Sequence, residues 1–264
     1  MKKYSAVYPP LVERLQAEAA TKQKKSPDIV KAVKTRLHQL YGAYTQDNAH
    51  KKTASIISAL EAESESIIQE STVNTLLSLH ASTKERLPHY ASFYDFIYSN
   101  TGPVKSILDI GCGYNPFSIP LIPATGLETY YAYDIDVKVA GLLNRYFACL
   151  NLPQEAKCAD LATSTPKEHA DLALMCKLIP VLEAQIPGSG FKLARELNAR
   201  YLLITYPLKS LGGREKGMTK HYTTAFETAL AEGELGKFSL IAQQQIGHEM
   251  LHILENRGSS ATQR

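Results

Sequence analysis

The stretch that most constrains the fold is 106–117, which reads Ser-Ile-Leu-Asp-Ile-Gly-Cys-Gly-Tyr-Asn-Pro-Phe. The aliphatic residues around Asp109 form a short apolar run bounded by glycines, a pattern typical of the first strand of a parallel sheet. Gly111 and Gly113 follow this strand and leave no side chain where a ligand must approach the backbone. The stretch therefore predicts an α/β fold with a ligand-binding turn after its first strand.

The glycine turn alone does not choose between dinucleotide folds, phosphate loops and ordinary tight turns. A dinucleotide fingerprint needs a third glycine, but this chain has Pro116 there, and proline lacks the backbone N–H that would meet a pyrophosphate. Asp109 ends the first strand, and Asp134 ends the next β-rich run 25 residues later. Rossmann-like folds place a ribose-binding acid at about this distance. The pattern favours a nucleoside without a pyrophosphate, such as S-adenosylmethionine.

From residue 106 the chain alternates strands and helices, which predicts a parallel sheet covered by helices on both faces. Asp160 ends the third predicted strand, where an acid can accept a hydrogen bond from an adenine amino group. The strands after the first are predicted at 129–135, 156–161, 171–176 and 201–207, with a closing pair at 238–247 and 249–255.

Residues 1–78 read as helices only, and they are basic. Residues 1–60 hold 11 Lys and Arg against 4 Asp and Glu, whereas the remainder holds 18 against 22. The clearest helix follows an N-cap predicted at Ser26 and carries Lys31 and Lys34 away from its apolar face. This distribution predicts that the head docks on a polyanion and leans on the larger domain. A solvated lysine-rich helix face is the alternative.

Residues 80–86 read His-Ala-Ser-Thr-Lys-Glu-Arg. Ser82 and Glu85 have the spacing of a capping box, which predicts a helix that starts there and runs through Ile97. A helix N-terminus offers free N–H groups to an anion, and Arg86 is placed to fork onto a carboxylate such as that of a methionine moiety. A capped helix without a ligand is the alternative.

A long loop is predicted at 208–221, and it holds three glycines and four cationic residues. Gly217 is followed by Met218 and not by lysine, so the loop is not a phosphate-binding P-loop. Loops at the carboxyl ends of parallel strands surround the ligand site, so a basic loop there favours an anionic substrate. A mobile surface loop without this role is the alternative.

The totals of the chain exclude several other classes. Its 264 residues, 44% of them apolar, suffice for one α/β domain and a smaller appendage. No apolar stretch reaches the roughly 18 residues of a membrane helix, and the first residues lack a signal-peptide core, so a cytoplasmic location is expected. The four cysteines form no C-x-x-C pair, so neither disulfides nor a metal site is expected.

The acids at the ends of three strands, the glycine turn and the closing strand pair resemble the S-adenosylmethionine-dependent methyltransferase fold. Three motifs, at 80–86, 109–116 and 210–218, further resemble the Arm/Rmt aminoglycoside-resistance methyltransferases. The basic head fits the same family. The resemblance implies an α/β, Rossmann-like class I methyltransferase domain over 79–256, a small N-terminal helical domain over 1–78 that docks on the ribosomal subunit, and a disordered tail over 257–264.

The resemblance also implies a reaction, which is methylation of the N7 of guanine-1405 in the 16S rRNA of the 30S subunit, and hence aminoglycoside resistance. Guanine N7 has an in-plane lone pair and no proton, so no general base is expected and no catalytic residue is assigned. A monomer is expected. Carried over by motif, contacts to the cofactor S-adenosyl-L-methionine fall on Tyr44, His80, Ala81, Ser82, Arg86, Asp109, Gly111, Asp134, Asp160, Leu161, Cys176 and Gln185. RNA contacts are predicted for Lys31, Lys34, Lys209, Arg214, Lys216 and Lys220.

Two features depart from simple matches. The family is expected to have leucine where this chain has Cys176, an exchange between apolar residues. The tetrapeptide 114–117 is similar to the Asn-Pro-Pro-Tyr signature of amino-group methyltransferases, but that signature follows strand four, where this chain reads Cys-Lys-Leu-Ile-Pro.

Three alternatives stay open. A methyltransferase for the decoding-site adenine N1, for another RNA base or for a small molecule would leave its methyl on a different atom or act without 30S subunits. A ribosome-binding module that has lost catalysis would not bind the cofactor, although its acids are intact. A nicotinamide oxidoreductase is disfavoured because the third glycine is absent.

Overall fold

The structure is a computed structural model that describes residues 4–23, 25–42, 44, 48–62, 68–123, 126–208 and 218–258, without the side chains of 218–221 and 223. The helices are α1 Pro9–Lys22, α2 Ser26–Leu37, α3 Ala49–Ala62, α4 Glu70–Ser78, α5 Ala81–Arg86, α6 Tyr90–Thr101, α7 Val137–Cys149, α8 Ile179–Glu183, α9 Ser189–Glu196 and α10 Met218–Ala231. The strands are β1 Ser106–Ile110, β2 Thr129–Asp134, β3 Ala156–Cys158, β4 His169–Cys176, β5 Asn198–Pro207, β6 Phe238–Ile246 and β7 Glu249–Asn256.

The strands described form one sheet in the order β3-β2-β1-β4-β5-β7-β6. Strands β1 to β5 run parallel, and β7 is antiparallel to both β5 and β6. One hydrophobic core lies on each face of the sheet. The predicted α/β fold is confirmed. Because the strand order reverses between β1 and β4, a ligand crevice is expected at the carboxyl ends of these two strands.

Several element boundaries differ from the sequence-based predictions. Strand β3 ends at Cys158, so Asp160 lies on the turn beyond it, and β4 and β5 begin before residues 171 and 201. The predicted loop 208–221 is wrong from Met218 onward, because helix α10 begins there. Phe226 of this helix packs on His252 of β7, with ring centroids 4.0 Å apart. Its tertiary packing stabilises a helix that the preceding glycines obscure in the sequence.

The capping predictions were wrong. Helix α5 begins at Ala81 with His80 as its N-cap and no side-chain cap bond, while the Glu85 carboxylate accepts from Lys177 Nζ. Pro88 lies in a 3₁₀ turn, Leu87–His89, that separates α5 from α6, because proline supplies no helical N–H. The N-cap of α2 is likewise Lys25, and Ser26 is the first helical residue.

The N-terminal helices belong to two different packing groups. Helices α1 and α2 enclose a small core of their own, which contains Leu11, Val33 and Leu37. Helices α3 and α4 instead contribute Ile57, Leu76 and other residues to the core on one face of the main sheet. The domain boundary predicted at residue 78 therefore lies inside one hydrophobic core.

The segment before α1 is also joined by backbone bonds to the segment that follows β2. Tyr8 N–H donates to Ile135 O at 2.7 Å, and Val137 N–H donates to Ala6 O at 2.8 Å. Within the described ranges, no helix is long and apolar enough to span a membrane, and no cluster of histidine, cysteine and acidic residues suited to a metal ion is found.

Candidate active site

A cleft opens at the carboxyl ends of β1, β2 and β4, where the strand order reverses. It holds about 1020 Å³ of space outside protein atoms, including its mouth, which is enough for a nucleoside-sized ligand. The predicted cofactor residues that line it are Tyr44, His80, Ser82, Arg86, Gly111, Asp134, Asp160, Leu161, Cys176 and Gln185. The fold thus brings together ten residues from positions 44 to 185.

The backbone conformation and the close packing of the turn require glycine at two positions. Gly111 and Gly113 have φ angles of 68° and 50°. A Cβ on Gly111 would lie 2.7 Å from Leu178 Cδ1, and one on Gly113 would lie 3.0 Å from His80 Cε1. The left-handed backbone and the close neighbours together explain why the turn contains glycine at both positions.

Asp134 faces the cleft from the end of β2, and the backbone orients it. Its Oδ2 accepts from Gly113 N–H at 2.8 Å and its Oδ1 accepts from Asp136 N–H at 3.0 Å. Burial raises the pKa of Asp134 to about 6, although the Gly113 hydrogen bond opposes this shift. The two backbone N–H groups therefore fix the orientation of the carboxylate.

Asp136 is a neighbour that sequence reasoning missed. It caps α7 by accepting from Lys138 and Val139 N–H groups, and it lies 2.6 Å from His50 Nε2. An acid just before a helix is a recognisable N-cap signal, so the sequence did contain evidence for this role.

Asp109 does not line the cleft, which corrects the predicted direct contact with a ligand. It is buried under the turn, where Asn115 Nδ2 donates to its Oδ2 at 2.9 Å and Tyr130 Oη donates at 2.7 Å. Burial raises its pKa to about 6. The 3₁₀ segment Asn115–Leu121 covers this end of the strand, so Asp109 supports the turn from beneath.

Ala81 likewise is not among the residues that line the cleft. Its backbone N–H donates to Tyr44 O at 3.1 Å, which ties the start of α5 to the end of the head. The backbone bond holds Tyr44 beside the cleft, and the contact of Ala81 with the cofactor stays a prediction.

Arg86 lines the cleft, and its guanidinium group binds a carboxylate of the protein itself. Its Nε and Nη2 donate to the two carboxylate oxygens of Glu249 at 3.1 and 2.7 Å, and its Nη1 donates to Asn115 Oδ1 at 3.0 Å. Both members of the pair are buried, so each compensates the charge of the other. Three of the five guanidinium N–H donors are used in these bonds, so the contact of Arg86 with a ligand carboxylate stays a prediction.

Lys177 completes this buried group. Its Nζ contacts Glu85 Oε2 at 2.5 Å and Glu249 Oε1 at 3.3 Å, and its φ of 56° is unusual for a residue other than glycine. Burial alone would raise the pKa of Glu249, but Arg86 and Lys177 lower it below its usual range. Sequence reasoning missed both residues. Lys177 had a positional signal, since it follows β4, whereas Glu249 lies far along the chain and had none.

His80 is held in a stack of rings beside the turn. Its ring lies 6.0 Å from that of Tyr44 and 5.4 Å from that of Tyr114, at interplanar angles of 13° and 14°. Burial lowers the pKa of His80 to about 4, so the ring is neutral at physiological pH. Its Nδ1 is buried and has no hydrogen-bond partner among the described residues.

The predicted RNA-binding residues lie apart from the cleft or outside the described residues. Lys31 and Lys34 are exposed on α2, next to the exposed side chain of Val30. Lys209, Arg214 and Lys216 fall outside the described residues, and Lys220 lies in α10 with its side chain outside them. The structure thus presents the two head lysines to solvent and leaves the loop cations as predictions.

Comparisons with known proteins agree with this architecture. Residues 1–251 match the model of a family described as ribosomal RNA methyltransferase (FmrO). The chain is 33% identical over 257 residues to the 16S rRNA (guanine(1405)-N(7))-methyltransferase of Serratia marcescens, with 97% of this chain and 95% of that protein covered. It is 31% identical over 258 residues to the enzyme of the same description from Micromonospora echinospora, with 96% and 92% covered.

A solved structure is similar over the same length. The crystal structure of 16S rRNA methyltransferase RmtF in complex with S-adenosyl-L-homocysteine matches with a TM-score of 0.83 at 32% identity and covers 96% of this chain and 93% of that one. A family match over nearly the whole chain, relatives above 30% identity and a shared fold all agree. The chain belongs to the FmrO family of ribosomal RNA methyltransferases.

Proposed function

We propose that the protein transfers a methyl group from S-adenosyl-L-methionine to the N7 of guanine-1405 in the 16S rRNA of the 30S subunit. The observation that carries the proposal is the oriented Asp134 beside the glycine turn, in a chain that is similar over 97% of its length to an enzyme described by that reaction. The protein would act as a cytoplasmic monomer, and the methylated decoding site would bind aminoglycosides less tightly.

The residues of the cleft fit the cofactor. A Cβ at Gly111 or Gly113 would fill the space at the turn, and the buried Nδ1 of His80 has no partner among the described residues. In this proposal Asp134 would accept from the ribose hydroxyls, and Asp160 and Gln185 would contact the adenine. When bound, the cofactor supplies an electrophilic methyl group on its sulfonium.

The chain's own part in the reaction is positioning. The lone pair of guanine N7 forms the new bond to the methyl carbon, the S–C electron pair stays on sulfur, and the positive charge passes to the base. No proton leaves N7, so no side chain has to accept one. Holding two reactants in line is worth roughly 7 to 11 kcal/mol, which is a sufficient contribution without a general base.

The target base has to leave its helix before it can enter the cleft, as in other enzymes that act on bases. We propose that Lys209, Arg214, Lys216 and Lys220 contact the phosphates or the edge of the displaced base. An Arg214→Ala variant should methylate subunits much more slowly and bind the cofactor with nearly unchanged affinity. A parallel loss of both properties would contradict this assignment.

The reaction is tested by incubating 30S subunits with cofactor labelled in its methyl group and mapping the modified nucleotide. We expect one methyl group per subunit, on N7 of guanine-1405, and none with an Asp134→Ala variant that retains its fold. A methyl on the decoding-site adenine N1 would instead support the alternative target. Binding to 30S subunits with neither cofactor binding nor methylation would support a non-catalytic ribosome-binding module.

A further inference from the structure

Arg14 of helix α1 reaches from the head to the side of the cleft that Asp160 and Gln185 line. Its Nε donates to Asp160 Oδ2 at 2.6 Å, and its Nη2 donates to Asp160 Oδ1 at 3.1 Å and to Gln185 Oε1 at 2.8 Å. The side chains of Arg14 and Asp160 are 16% and 10% exposed, so this bidentate pair is largely shielded from water. Such pairs are among the stronger and more directional polar contacts in proteins.

Asp160 needs such a contact because its own strand does not fix it. Strand β3 has three residues and ends at Cys158, which places Asp160 on the following turn. Apart from Arg14, the side chain accepts only a longer bond, from Ala162 N–H at 3.3 Å, among the contacts of the described residues. A carboxylate has about four acceptor positions, so these contacts leave room for one more donor.

Gln185 is fixed in the same way. Its Oε1 accepts from Arg14, while its Nε2 donates to Val181 O at 3.3 Å. Because the oxygen and the nitrogen have different partners, the amide can take only one of its two orientations. Arg14 therefore determines which hydrogen-bonding atoms both side chains present to the cleft.

The contact belongs to a larger attachment of the head. Arg36 Nη1 donates to Ala184 O at 3.1 Å, one residue before Gln185, and Val7 forms a β-bridge with Asp136. Leu11 and Tyr41 of the head line the cleft themselves. The head is thus one wall of the cleft, and it touches the segments that follow both β2 and β3.

We propose that Arg14 is a positioning residue for the cofactor, which holds Asp160 and Gln185 in the orientation that recognises the adenine ring and makes the basic head part of the cofactor site. This inference rests on the proposed function, because it concerns the cofactor of that reaction. By thermodynamic reciprocity, a partner that stabilises the docked head also raises cofactor affinity.

The test is the affinity for S-adenosyl-L-homocysteine, measured by titration calorimetry on Arg14→Ala, Arg14→Lys and a matched control. The control is Arg145→Ala, because Arg145 also joins N-terminal helices to the main domain through a bidentate pair, with Glu61, but lies outside the cleft. We expect Arg14→Ala to bind about 10-fold or more weakly and Arg145→Ala to bind like wild type. Arg14→Lys should also bind weakly, since an ammonium cannot reproduce the fork.

A second measurement separates positioning from a loss of folding. The melting temperature without ligand should fall further in Arg14→Ala than in Arg145→Ala, whose pair is exposed, but both variants should stay folded at the temperature of the titration. In an Asp160→Ala background the further change Arg14→Ala should weaken binding less than about threefold. Unchanged affinity in Arg14→Ala, or fully additive effects, would overturn the inference. Tighter binding would also overturn it, since Arg14 would then occupy the ligand's place. Failure of wild type to bind at all would instead overturn the proposed function.

Discussion

His80 is one of the cleft residues that make the stability of the protein depend on pH. Its ring is stacked between Tyr44 and Tyr114, and burial lowers its pKa from 6.5 to about 4. The imidazole of His80 is therefore protonated near pH 6.5 in the unfolded chain, but only near pH 4 in the folded protein. Stability from this group is complete above pH 6.5 and is lost as the pH falls towards 4.

A His80→Phe variant keeps an aromatic ring in the stack but cannot take up a proton. At about 1.4 kcal/mol for each pH unit between the two pKa values, wild type should lose about 3 kcal/mol between pH 6.5 and 4 that the variant does not lose. Urea unfolding at a series of pH values measures both free energies. Parallel curves for the two proteins would show that His80 is protonated in the folded state.

The two glycines at φ 68° permit a matched comparison, because a Cβ added to Gly111 would lie 2.7 Å from Leu178 Cδ1, whereas one added to Gly102 would have no atom within 4 Å. Alanine at either position should lower the free energy of unfolding by about 1 kcal/mol or more, because of the left-handed backbone. Only in Gly111→Ala would the added methyl group collide with Leu178, which lines the cleft. Its affinity for S-adenosyl-L-homocysteine should fall at least about 10-fold in calorimetry, while Gly102→Ala binds like wild type. Equal affinities would mean that Leu178 moves without narrowing the cleft.

At the scale of elements, helix α2 carries two kinds of basic side chain, one bonded to the main domain and one without such a bond among the described residues. Arg36 donates to a carbonyl of the main domain, whereas Lys31 and Lys34 are exposed. The charges of Lys31 and Lys34 are available to ribosomal RNA, and their contribution to binding depends on salt through counterion release.

Reversing both charges, in Lys31→Glu with Lys34→Glu, should weaken binding to 30S subunits at least about 10-fold at low salt and make the salt dependence shallower. The matched control is Lys105→Glu with Lys192→Glu, which changes the net charge equally at exposed positions outside the head. Filter binding at several salt concentrations measures both. If the two double variants bind alike, net charge decides the affinity and α2 is not a docking surface.

The elements that were predictable are those specified by local sequence. The apolar runs that end in Asp109 and Asp134 gave β1 and β2 with nearly their observed bounds. Helix α10 was not predictable in the same way, because Phe226 and its neighbours are stabilised by packing against β7. The capping box predicted at Ser82 and Glu85 does not form, because the Glu85 carboxylate accepts a hydrogen bond from Lys177 instead.

At the scale of the whole molecule, the candidate site was predictable only in part for the same reason. Asp134 and Gly111 belong to a motif and could be found from spacing. Glu249 meets Arg86 across 163 residues, and Arg14 meets Asp160 across 146. No local pattern encodes such contacts, because they arise only when the sheet closes and the head docks.

The packing of the N-terminal helices makes a further prediction about where the chain can be divided. The side chains of Ile57, Val73, Leu76 and Leu77 are completely buried in the core of the main sheet. At about 1.5 to 3 kcal/mol for each, their removal costs about 6 to 12 kcal/mol. That is comparable with the whole stability of a typical domain, which is about 5 to 15 kcal/mol. A protein that begins at residue 79 should therefore be insoluble or lack a cooperative transition.

A protein that begins at residue 48 keeps these four side chains and loses only the helices that have a core of their own. It should unfold cooperatively in urea, followed by circular dichroism. Its affinity for S-adenosyl-L-homocysteine should nevertheless fall at least about 10-fold, because the deletion of residues 1–47 removes Leu11, Arg14 and Tyr41 from the cleft. Cooperative unfolding of the protein that begins at residue 79 would show that this part of the chain folds without residues 1–78. Unchanged affinity in the protein that begins at residue 48 would show that residues 1–47 do not form a wall of the cofactor site.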